Sequence, residues 1–384
     1  MRVPLPLCVI GGGQIGLRHA QVAVASERIL LTAVVEPRAA RRAELAAMGL
    51  PAVPTLGDVP AGTRAAVVAT PTQDHAAAGL AALAEGWGLI VEKPLAATLA
   101  EARALCAAAA RAGLALVTGH HRRCHPFVQA ARAQLPALCD PVGVQALWSL
   151  RKHEGYFDEG WRRRPGAGVM MTNLSHEIDL MQMLLGPIEE VSALLSRARR
   201  GLAVEDTAAL SLRFANGALG SVLISDAGAS PWGFEAATGE NPMLAASGQD
   251  YLRVIGTAGA LELPSLRRWR GDDWRLAMHP QDGPRFAAVD PLAVQLERFA
   301  EDERTVRSVR RVMRSRDDGA VVDIEVDGLA RSVSVRRAGT VFVATDASGR
   351  TRWTARPRFT DHESEMVGSG PVAASAGSTA FSGV

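Results

Sequence analysis

The stretch Cys8-Val-Ile-Gly11-Gly-Gly13-Gln-Ile-Gly16-Leu-Arg-His19 decides how the first part of the chain is expected to fold. An apolar run enters a turn with glycines at 11, 13 and 16, and a helix-forming run follows. In a G-x-G-x-x-G turn the first glycine permits a tight bend, the second lets the backbone approach a pyrophosphate, and the third lets helix and strand pack closely. The pattern by itself also fits an ordinary glycine-rich turn.

A carboxylate further along favours the nucleotide interpretation. Glu36 ends the apolar run Ile29 to Val35, 20 residues after Gly16. A carboxylate in that place can accept hydrogen bonds from the diol of an adenine ribose. The two features together predict a dinucleotide site, with the diphosphate held by N–H groups at the start of the helix.

Composition sets limits on the class of protein. The chain has 384 residues, 48% hydrophobic and 21% charged, which is typical of a globular protein with two domains. The net charge of +2 gives no reason to expect nucleic acid as a partner. The four cysteines have no C-x-x-C spacing and no signal peptide is evident, so we predict reduced thiols and a cytoplasmic location. No apolar run is long enough to span a membrane.

Residues 5 to about 120 alternate between short apolar runs and helical patterns. Strands are predicted at 7–10, 30–35, 66–69, 89–92 and 114–118, with helices near 16–25, 38–48, 73–86 and 98–112. This alternation predicts a doubly wound parallel sheet, on which ligands bind beyond the carboxyl ends of the strands. The residues at those ends are Gly11–Gly16, Glu36, 69–72 with Thr70 and Pro71, 92–94 and 119–121.

Glu92-Lys93-Pro94 follows one of these buried strands. A lysine there could hold or protonate a substrate oxygen, with its pKa lowered by burial. It could equally be a lysine whose amine extends from a strand end to solvent.

A polar, aromatic loop follows the strand pattern at 142–150. It could recognise a hydroxyl-rich or acidic ligand, or it could pack between subunits. Its members are Lys152, Tyr156, Phe157, Trp161, Arg162, Arg163 and Arg164.

The segment after Gly168 has a helical period, with Thr172, His176 and Asp179 on one face. A histidine on such a face is a candidate general base at neutral pH. It could also be a surface or supporting histidine. The nine histidines offer no H-E-x-x-H pair, although His120, His121 and His125 lie close together in sequence, and we predict no metal site.

Residues 188–278 read mostly as strands. Asn216-Gly217 predicts a hairpin between 206–214 and 219–225, and a turn at 256–259 predicts a second hairpin. We therefore predict a second domain of α+β type with an open, mostly antiparallel sheet.

The quoted motifs, in this order, resemble the Gfo/Idh/MocA family of nicotinamide-dependent oxidoreductases over residues 5 to about 300. They are the glycine turn, Ala69-Thr-Pro-Thr-Gln-Asp-His75, Glu92-Lys93-Pro94, Gly119-His120-His-Arg-Arg123 and the Gly168…His176-x-x-Asp179 helix. Later segments that also look like one branch of this family are 204–207, 214–217 and 225–232.

The resemblance implies a Rossmann domain at 1–120 and a substrate and oligomerisation domain at 121–300. It implies that Lys93 orients the substrate and relays protons, while His176 removes or returns the alcohol proton. It implies NAD as cofactor, because the Glu36 carboxylate repels a 2′-phosphate, although Arg38 and Arg41 leave NADP possible. Expected cofactor contacts are Gly11, Gly13, Gln14, Ile15, Gly16, Glu36, Arg38, Thr70, Pro71, His75, Glu92 and Lys93. Expected substrate contacts are Thr172, Asn173, Asp179, Arg123, Tyr156 and Trp161.

One position departs from the family pattern. Many members carry aspartate four residues before the histidine, and this chain has Thr172, which can form hydrogen bonds but carries no charge. Either Lys93 and His176 handle the proton alone, or Asn173 orients the substrate instead.

The region 301–384 departs further, with an arginine-rich stretch at 304–316 and four short strand patterns between 321 and 355. Residues 320–384 faintly resemble the linker and biotinyl-domain start of an acyl-CoA carboxylase α-chain, but no lysine is present to carry biotin. A tail without activity is the simpler interpretation, and residues 368–384 are expected to be disordered.

These observations predict an NAD(P)-dependent dehydrogenase or reductase of a sugar, cyclitol or related polyhydroxy or keto compound, working as a homo-dimer or homo-tetramer. Two alternatives stay open. One is a non-catalytic nucleotide-binding sensor, and the other is a subunit that the tail holds in a carboxylase complex.

Overall fold

The computed structural model describes residues 3–164, 167–240, 244–271, 273–286 and 289–313, and four strands between 321 and 355. The chain divides into two compact units, Met1–Val117 with Glu297–Val384, and Thr118–Leu296. In the described residues, no helix has the length and apolar character that crossing a membrane requires.

The first unit contains a parallel sheet of six strands with the order β3-β2-β1-β4-β5-β6. The strands are β1 (Leu5–Ile10), β2 (Ile29–Val35), β3 (Ala52–Val53), β4 (Ala65–Val68), β5 (Gly88–Val91) and β6 (Leu116–Thr118). The helices between them are α1 (Gln14–Ala25), α2 (Ala39–Ala47), α3 (His75–Ala84) and α4 (Leu99–Ala112). Every residue of β4 and β5 is buried, as the continuous apolar runs predicted for a sheet covered on both faces.

The carboxyl ends of the central strands meet at one edge of this sheet. The backbone N–H of Gly11 donates to Val35 at 2.8 Å, and that of Ala69 donates to Ile10 at 2.8 Å. The N–H of Glu92 donates to Val68 at 2.9 Å. The ladder therefore brings the glycine turn, the end of β2, and the segments after β4 and β5 to neighbouring positions.

The second unit is built on a mixed sheet of eight strands with the order β14-β13-β12-β11-β7-β10-β9-β8. Its elements are α5 (Pro126–Gln134), β7 (Pro141–Ser149), α6 (Ser175–Leu185), β8 (Ile188–Ser196), β9 (Thr207–Phe214), β10 (Leu219–Ser225), α7 (Phe234–Thr238), β11 (Leu252–Gly256), β12 (Gly259–Leu263), β13 (Arg268–Arg270) and β14 (His279–Gln281). Strands β7 and β10 pair in parallel, and the other pairs described are antiparallel. The predicted α/β fold with a second, mostly antiparallel sheet is confirmed, as are both hairpins.

One face of this sheet packs on α5 and α6, and the other is open. Along β9, buried Ala208, Leu210, Leu212 and Phe214 alternate with exposed residues. The core continues through Trp148, Leu180, Phe234 and Tyr251, each nearly inaccessible.

The last part of the chain forms α8 (Pro291–Met313), which runs through most of the predicted arginine-rich stretch. Strands β15 (Val321–Val326), β16 (Leu329–Ala338), β17 (Val341–Asp346) and β18 (Thr351–Ala355) form an antiparallel sheet of four. These strands match the four predicted patterns. The predicted disorder at 368–384 concerns residues outside those that the structure describes.

Candidate active site

The glycine turn of the first unit is shaped by close backbone contacts. Gly11 has φ +106°, and a Cβ there would lie 2.6 Å from the carbonyl oxygen of Ala69. A Cβ at Gly16 would lie 1.8 Å from the carbonyl oxygen of Gly11. By contrast, a Cβ at Gly13 would meet nothing within 4 Å. The fold itself requires Gly11 and Gly16, whereas Gly13 leaves space in front of the helix.

Helix α1 begins at that space. Gly13 precedes the helix in an extended conformation, and no side chain among the described residues caps it. The first-turn N–H groups, at Gln14, Ile15 and Gly16, have no preceding helical carbonyl to bond. Uncapped N–H groups at the start of a helix, next to the open position at Gly13, suit a diphosphate.

Glu36 is buried against the same turn, with a relative exposure of 3%. Its Oε2 accepts the N–H of Gly12 at 3.1 Å, and its Oε1 accepts the backbone N–H and Nε of Arg38 at 3.0 and 2.9 Å. Burial raises the pKa of Glu36, but the hydrogen bonds and charge of Arg38 outweigh it and lower the pKa overall. Glu36 is therefore an ionised acceptor at the position predicted for ribose binding.

Two arginines modify this position. The Arg38 side chain is 68% exposed and reaches both oxygens of Glu36. Arg41 donates from Nε to the carbonyl oxygen of Gly12 at 2.7 Å. Both guanidinium groups, which we predicted to affect the choice between NAD and NADP, thus lie beside Glu36 or the glycine turn.

His75 lies behind the segment after β4, almost completely buried. Its Nδ1 is 2.9 Å from the carbonyl oxygen of Pro94, and its Nε2 is 2.9 Å from that of Thr70. The ring therefore ties the Thr70-Pro71 segment to the segment after β5. This geometry favours support of those loops over the cofactor contact predicted for the His75 ring.

Glu92 links the glycine turn helix to Lys93. Its Oε1 lies 2.8 Å from Nε2 of His19, on α1, and its Oε2 accepts the backbone N–H of Lys93 at 3.1 Å. His19 is fully buried and Glu92 nearly so. Glu92, predicted as a cofactor contact, is placed to fix the backbone that carries Lys93, whose side chain is half-buried.

The second unit carries the predicted Thr172, Asn173 and His176. Met170–Leu174 form a turn of π-helix that continues into α6. The hydroxyl of Thr172 lies 3.0 Å from the carbonyl oxygen of Gly168 and 2.8 Å from Oδ1 of Asn173. Thr172 and Asn173 are half-buried and His176 is 7% exposed.

His176 belongs to a group of three histidines. Its ring meets those of His121 and His120 edge-on, with centroids 5.4 and 6.1 Å apart. His121 in turn contacts Glu240 at 2.7 Å. In the part of the chain that the structure describes, no group of three or more His, Cys, Asp or Glu side chains could hold a metal ion.

Arg123 and Asp179, both predicted to bind substrate, pair with each other. Arg123 donates from Nε to both carboxylate oxygens of Asp179 at 3.0 and 2.8 Å. Nδ1 of His120 lies 3.7 Å from the same carboxylate. The pair links the segment after β6 to α6, which favours a positioning role over direct substrate contact.

The aromatic loop surrounds Tyr156. The Arg162 guanidinium lies 4.0 Å from the centroid of the Tyr156 ring, and the Lys152 amine lies 4.6 Å from it. The Tyr156 ring thus contacts two cations of its own unit. The side chain of Trp161, predicted to bind substrate, lies outside the described part of the structure.

A buried ion cluster supports α6. Arg122 donates to Glu177 and to Glu235, each at 2.5 Å, and Trp148 donates from Nε1 to Glu235 at 2.8 Å. Arg122 and Glu177 are almost inaccessible. Because Glu177 follows His176 directly, this cluster fixes the turn that carries the histidine.

The sequence analysis assigned no role to His19 and no individual role to Lys152. His19 is the last residue of the quoted glycine stretch and lies on the buried face of α1. A polar residue among apolar ones on that face indicates a buried hydrogen-bond partner. Lys152 was placed in the loop only as one of several cations, yet lysine occurs just twice in the chain.

The residues present fit a dinucleotide. The open position at Gly13, the uncapped start of α1 and the buried carboxylate of Glu36 provide sites for a diphosphate and a ribose diol.

Two family models match the chain. Residues 6–120 match the oxidoreductase family with an NAD-binding Rossmann fold, and residues 136–262 match the GFO/IDH/MocA C-terminal domain. Together they cover more than half of the chain, so the protein belongs to the Gfo/Idh/MocA oxidoreductase family.

Curated relatives share part of this sequence. D-apiose dehydrogenase of Paraburkholderia graminis is 28% identical over 228 residues, which are 58% of this chain and 55% of that protein. Rhizopine catabolism protein MocA of Rhizobium meliloti is 30% identical over 182 residues, which are 47% of this chain and 57% of that protein. The chain thus spans little more than half the length of these relatives.

A solved structure shares the fold. An oxidoreductase from Agrobacterium radiobacter, in complex with NAD+, L-tartaric acid and magnesium, has a TM-score of 0.62 at 18% identity and covers 80% of this chain and 89% of its own. The comparisons give no support to the resemblance between residues 320–384 and a carboxylase α-chain.

Proposed function

We propose that this protein is an NAD-dependent dehydrogenase or reductase that acts on a CH–OH or keto group of a sugar, cyclitol or related polyhydroxy compound. The observation that carries this proposal is the open position at Gly13 beside the buried carboxylate of Glu36. Membership of the oxidoreductase family supports the redox chemistry, and the name of the D-apiose relative supports a sugar-type substrate.

The first unit would hold the cofactor. The N–H groups at the start of α1 bind the diphosphate, and Glu36 binds the ribose diol. The segments at Thr70-Pro71 and Glu92-Lys93 bind the remainder, with His75 and Glu92 fixing their backbones. The bound cofactor would supply the hydride chemistry, with NAD+ as the acceptor in alcohol oxidation and NADH as the donor in ketone reduction.

The chain's own side chains would manage the proton. His176 accepts the hydroxyl proton when the alcohol is oxidised and returns it when the ketone is reduced. Lys93 orients the substrate and relays the proton. Asn173, which Thr172 contacts through its hydroxyl, contributes hydrogen bonds to the substrate, and Tyr156 and Trp161 bind its remaining groups.

A fluorescence titration of the purified protein with NADH and NADPH tests the cofactor assignment. We expect NADH to bind, and Glu36→Ala to weaken binding at least about tenfold, which is about 1.4 kcal/mol. Glu27→Ala, an exposed carboxylate of the same unit, is the control and should leave binding unchanged. Absence of NADH binding by a protein with native circular dichroism would reject the proposal.

A polyol and keto-sugar screen with NAD+ and NADH tests turnover. Lys93→Met and His176→Gln should retain NADH binding and lose about 10²–10⁴ in kcat, the range typical of a removed general acid or base. Turnover that survives both substitutions would show that these residues do not handle the proton.

A second candidate is a nucleotide-binding sensor without turnover. The observation in its favour is Thr172, an uncharged residue whose hydroxyl is committed to Gly168 and Asn173. A sensor predicts tight NADH binding in the wild type and no turnover on any compound of the screen.

We further propose that the open face of the eight-stranded sheet contacts other copies of this chain, giving a homo-dimer or homo-tetramer. Leu194, Ala209 and Leu223 lie side by side there, and both leucines are strongly exposed.

We also propose the domain division predicted from the sequence, into residues 1–120, 121–300 and 301–384. The free cysteines support the predicted cytoplasmic location.

A further inference from the structure

Lysine is nearly absent from this protein. Of 42 basic residues, Lys93 and Lys152 are the only lysines, and the rest are arginine. Arginine serves for surface charge and ion pairs, whereas a lysine amine is a compact charge with three donors that can meet three acceptors. Lys93 belongs to the proposed proton machinery, so the second lysine demands an explanation.

The Lys152 amine is surrounded by three oxygen acceptors of its own unit. Nζ lies 3.0 Å from Oδ1 of Asn173 and 3.4 Å from Oγ1 of Thr172. It also lies 3.4 Å from Oδ2 of Asp226, which follows β10. With the Tyr156 ring 4.6 Å away, the side chain is only 15% exposed.

These contacts determine which way the Asn173 amide faces. An ammonium group donates and cannot accept, so the Asn173 atom beside Lys152 must be the carbonyl oxygen. The Thr172 hydroxyl meets that same oxygen at 2.8 Å. Nδ2 is therefore turned away from Lys152. Among the described residues it donates to no protein acceptor, and it is not one of the buried unpartnered atoms.

We propose that Lys152 is a positioning residue that holds Asn173 with its two amide N–H groups directed at the substrate. This rests on the proposed function, and it deepens it by defining what the substrate must offer. Asn173 lies three residues before His176, on the same helical face. A substrate oxygen here meets donors, whereas an aspartate at position 172 would have presented an acceptor. The site thus selects an oxygen that accepts hydrogen bonds, such as a carbonyl, ring ether or carboxylate.

Burial and the neighbouring carboxylates act on the pKa of Lys152 in opposite directions. Burial lowers the pKa of Lys152 and Arg200 lowers it further, while Asp226 and Glu235 raise it. Arg200 shares Asp226 with Lys152, at 3.1 Å from Nε to Oδ1. The balance leaves the pKa of Lys152 below its ordinary value. The hydrogen bond from its ammonium group to Asn173 therefore weakens as alkaline pH removes the proton.

Lysine and asparagine are both rare in this sequence, so NMR on the full chain can test the proposal directly. The sequence contains two lysines and three asparagines, at 173, 216 and 241. Labelling with ¹³Cε-lysine and ¹⁵Nδ2-asparagine gives two lysine signals and three amide pairs. Asn173→Ser and Lys93→Arg assign them, and the pair of Asn216, which donates to the carbonyl oxygen of Leu185, reports on folding.

We expect the Asn173 amide pair to shift with pH at the same midpoint as the Lys152 signal. In Lys152→Met the pair should shift at neutral pH and lose its titration. In Lys152→Arg, which keeps the charge, it should stay near its wild-type position at neutral pH and not titrate. Arg151→Met, the exposed neighbouring cation, should change neither signal.

An Asn173 pair that stays constant through the Lys152 titration, or that is unchanged in Lys152→Met, would overturn the positioning role. Because neither NADH nor turnover enters this measurement, its failure is separate from failure of the proposed function, which the NADH titration decides.

Discussion

Nε2 of His19 lies 2.8 Å from Oε1 of Glu92 inside the first unit, where the histidine is completely buried. The contact joins the helix that starts at the glycine turn to the strand end that carries Lys93. Because the other Glu92 oxygen accepts the Lys93 N–H, one carboxylate sets the position of two parts of the proposed cofactor site.

Removing this contact should destabilise the first unit. We expect Glu92→Ala and His19→Ala each to lower the free energy of unfolding by about 1–3 kcal/mol, since each leaves a buried polar partner unsatisfied. In a double-mutant cycle by urea denaturation, the two effects should couple by about 0.5–3 kcal/mol. Glu85→Ala, an exposed carboxylate after α3, is the control. Strict additivity would show that the contact contributes nothing.

Arg38 should control cofactor preference. In the wild type its guanidinium neutralises Glu36 and competes with a ribose for the carboxylate oxygens. Arg38→Ala should tighten NADH binding, weaken NADPH binding, and change their ratio about tenfold, or about 1.4 kcal/mol. Arg103→Ala, an exposed arginine on α4, should leave the ratio unchanged. A ratio that moves toward NADPH in Arg38→Ala would contradict this role.

Ionisation of the Cys8 thiol in the unfolded chain should lower the free energy of unfolding at alkaline pH. Burial raises the pKa of its thiol from 9.0 to about 12. Above pH 9 the unfolded chain releases a proton that the folded chain retains, so unfolding is favoured as pH rises. The free energy of unfolding should decrease by up to about 1.4 kcal/mol per pH unit between these two values.

Denaturation of Cys8→Ala over the same pH range measures this effect. The variant should lack this part of the slope, whereas Cys106→Ala, an exposed thiol, should retain it. Equal slopes in the wild type and in Cys8→Ala would mean that other groups account for the alkaline loss.

Arg122 should be essential for the second unit. Arg122→Met leaves Glu177 and Glu235 without their shared cation, and we expect a cost of about 3–5 kcal/mol, typical of breaking a buried ion pair. Arg213→Met, whose pair with Glu190 is exposed, should cost no more than about 1 kcal/mol. Thermal unfolding of both variants makes the comparison, and similar losses would show that burial does not strengthen the cluster.

Leu223→Arg should dissociate the proposed oligomer. The charge would be placed beside Leu194 and Ala209 on the open sheet face, where desolvation would oppose association. Light scattering after size exclusion should show a smaller assembly than for the wild type. Met48→Arg, an equally polar change after α2, should leave the assembly intact. An unchanged mass in Leu223→Arg would place the interface elsewhere.

The sequence by itself determined the parts that depend on local periodicity and turn chemistry. The glycine turn at 11–16, the buried strands before Glu36 and Glu92, and the hairpin at Asn216-Gly217 follow from residues adjacent in the chain. So do the family and the donors available near His176. Patterns of period 2 and 3.6, and turns that need glycine, are properties of short segments.

Which side chains form hydrogen bonds and ion pairs with each other became known from the tertiary structure alone. The pairing of Arg123 with Asp179, of Lys152 with Asn173, and of His19 with Glu92 joins residues that lie 21 to 73 positions apart. Such partners depend on strand order and helix packing, because charge and hydrogen-bonding capacity have no preferred sequence separation. The sequence therefore predicted Lys152 only as one member of a polar loop, and its contacts with Asp226 after β10 and with Asn173 in the π-helical turn make its amine a buried donor.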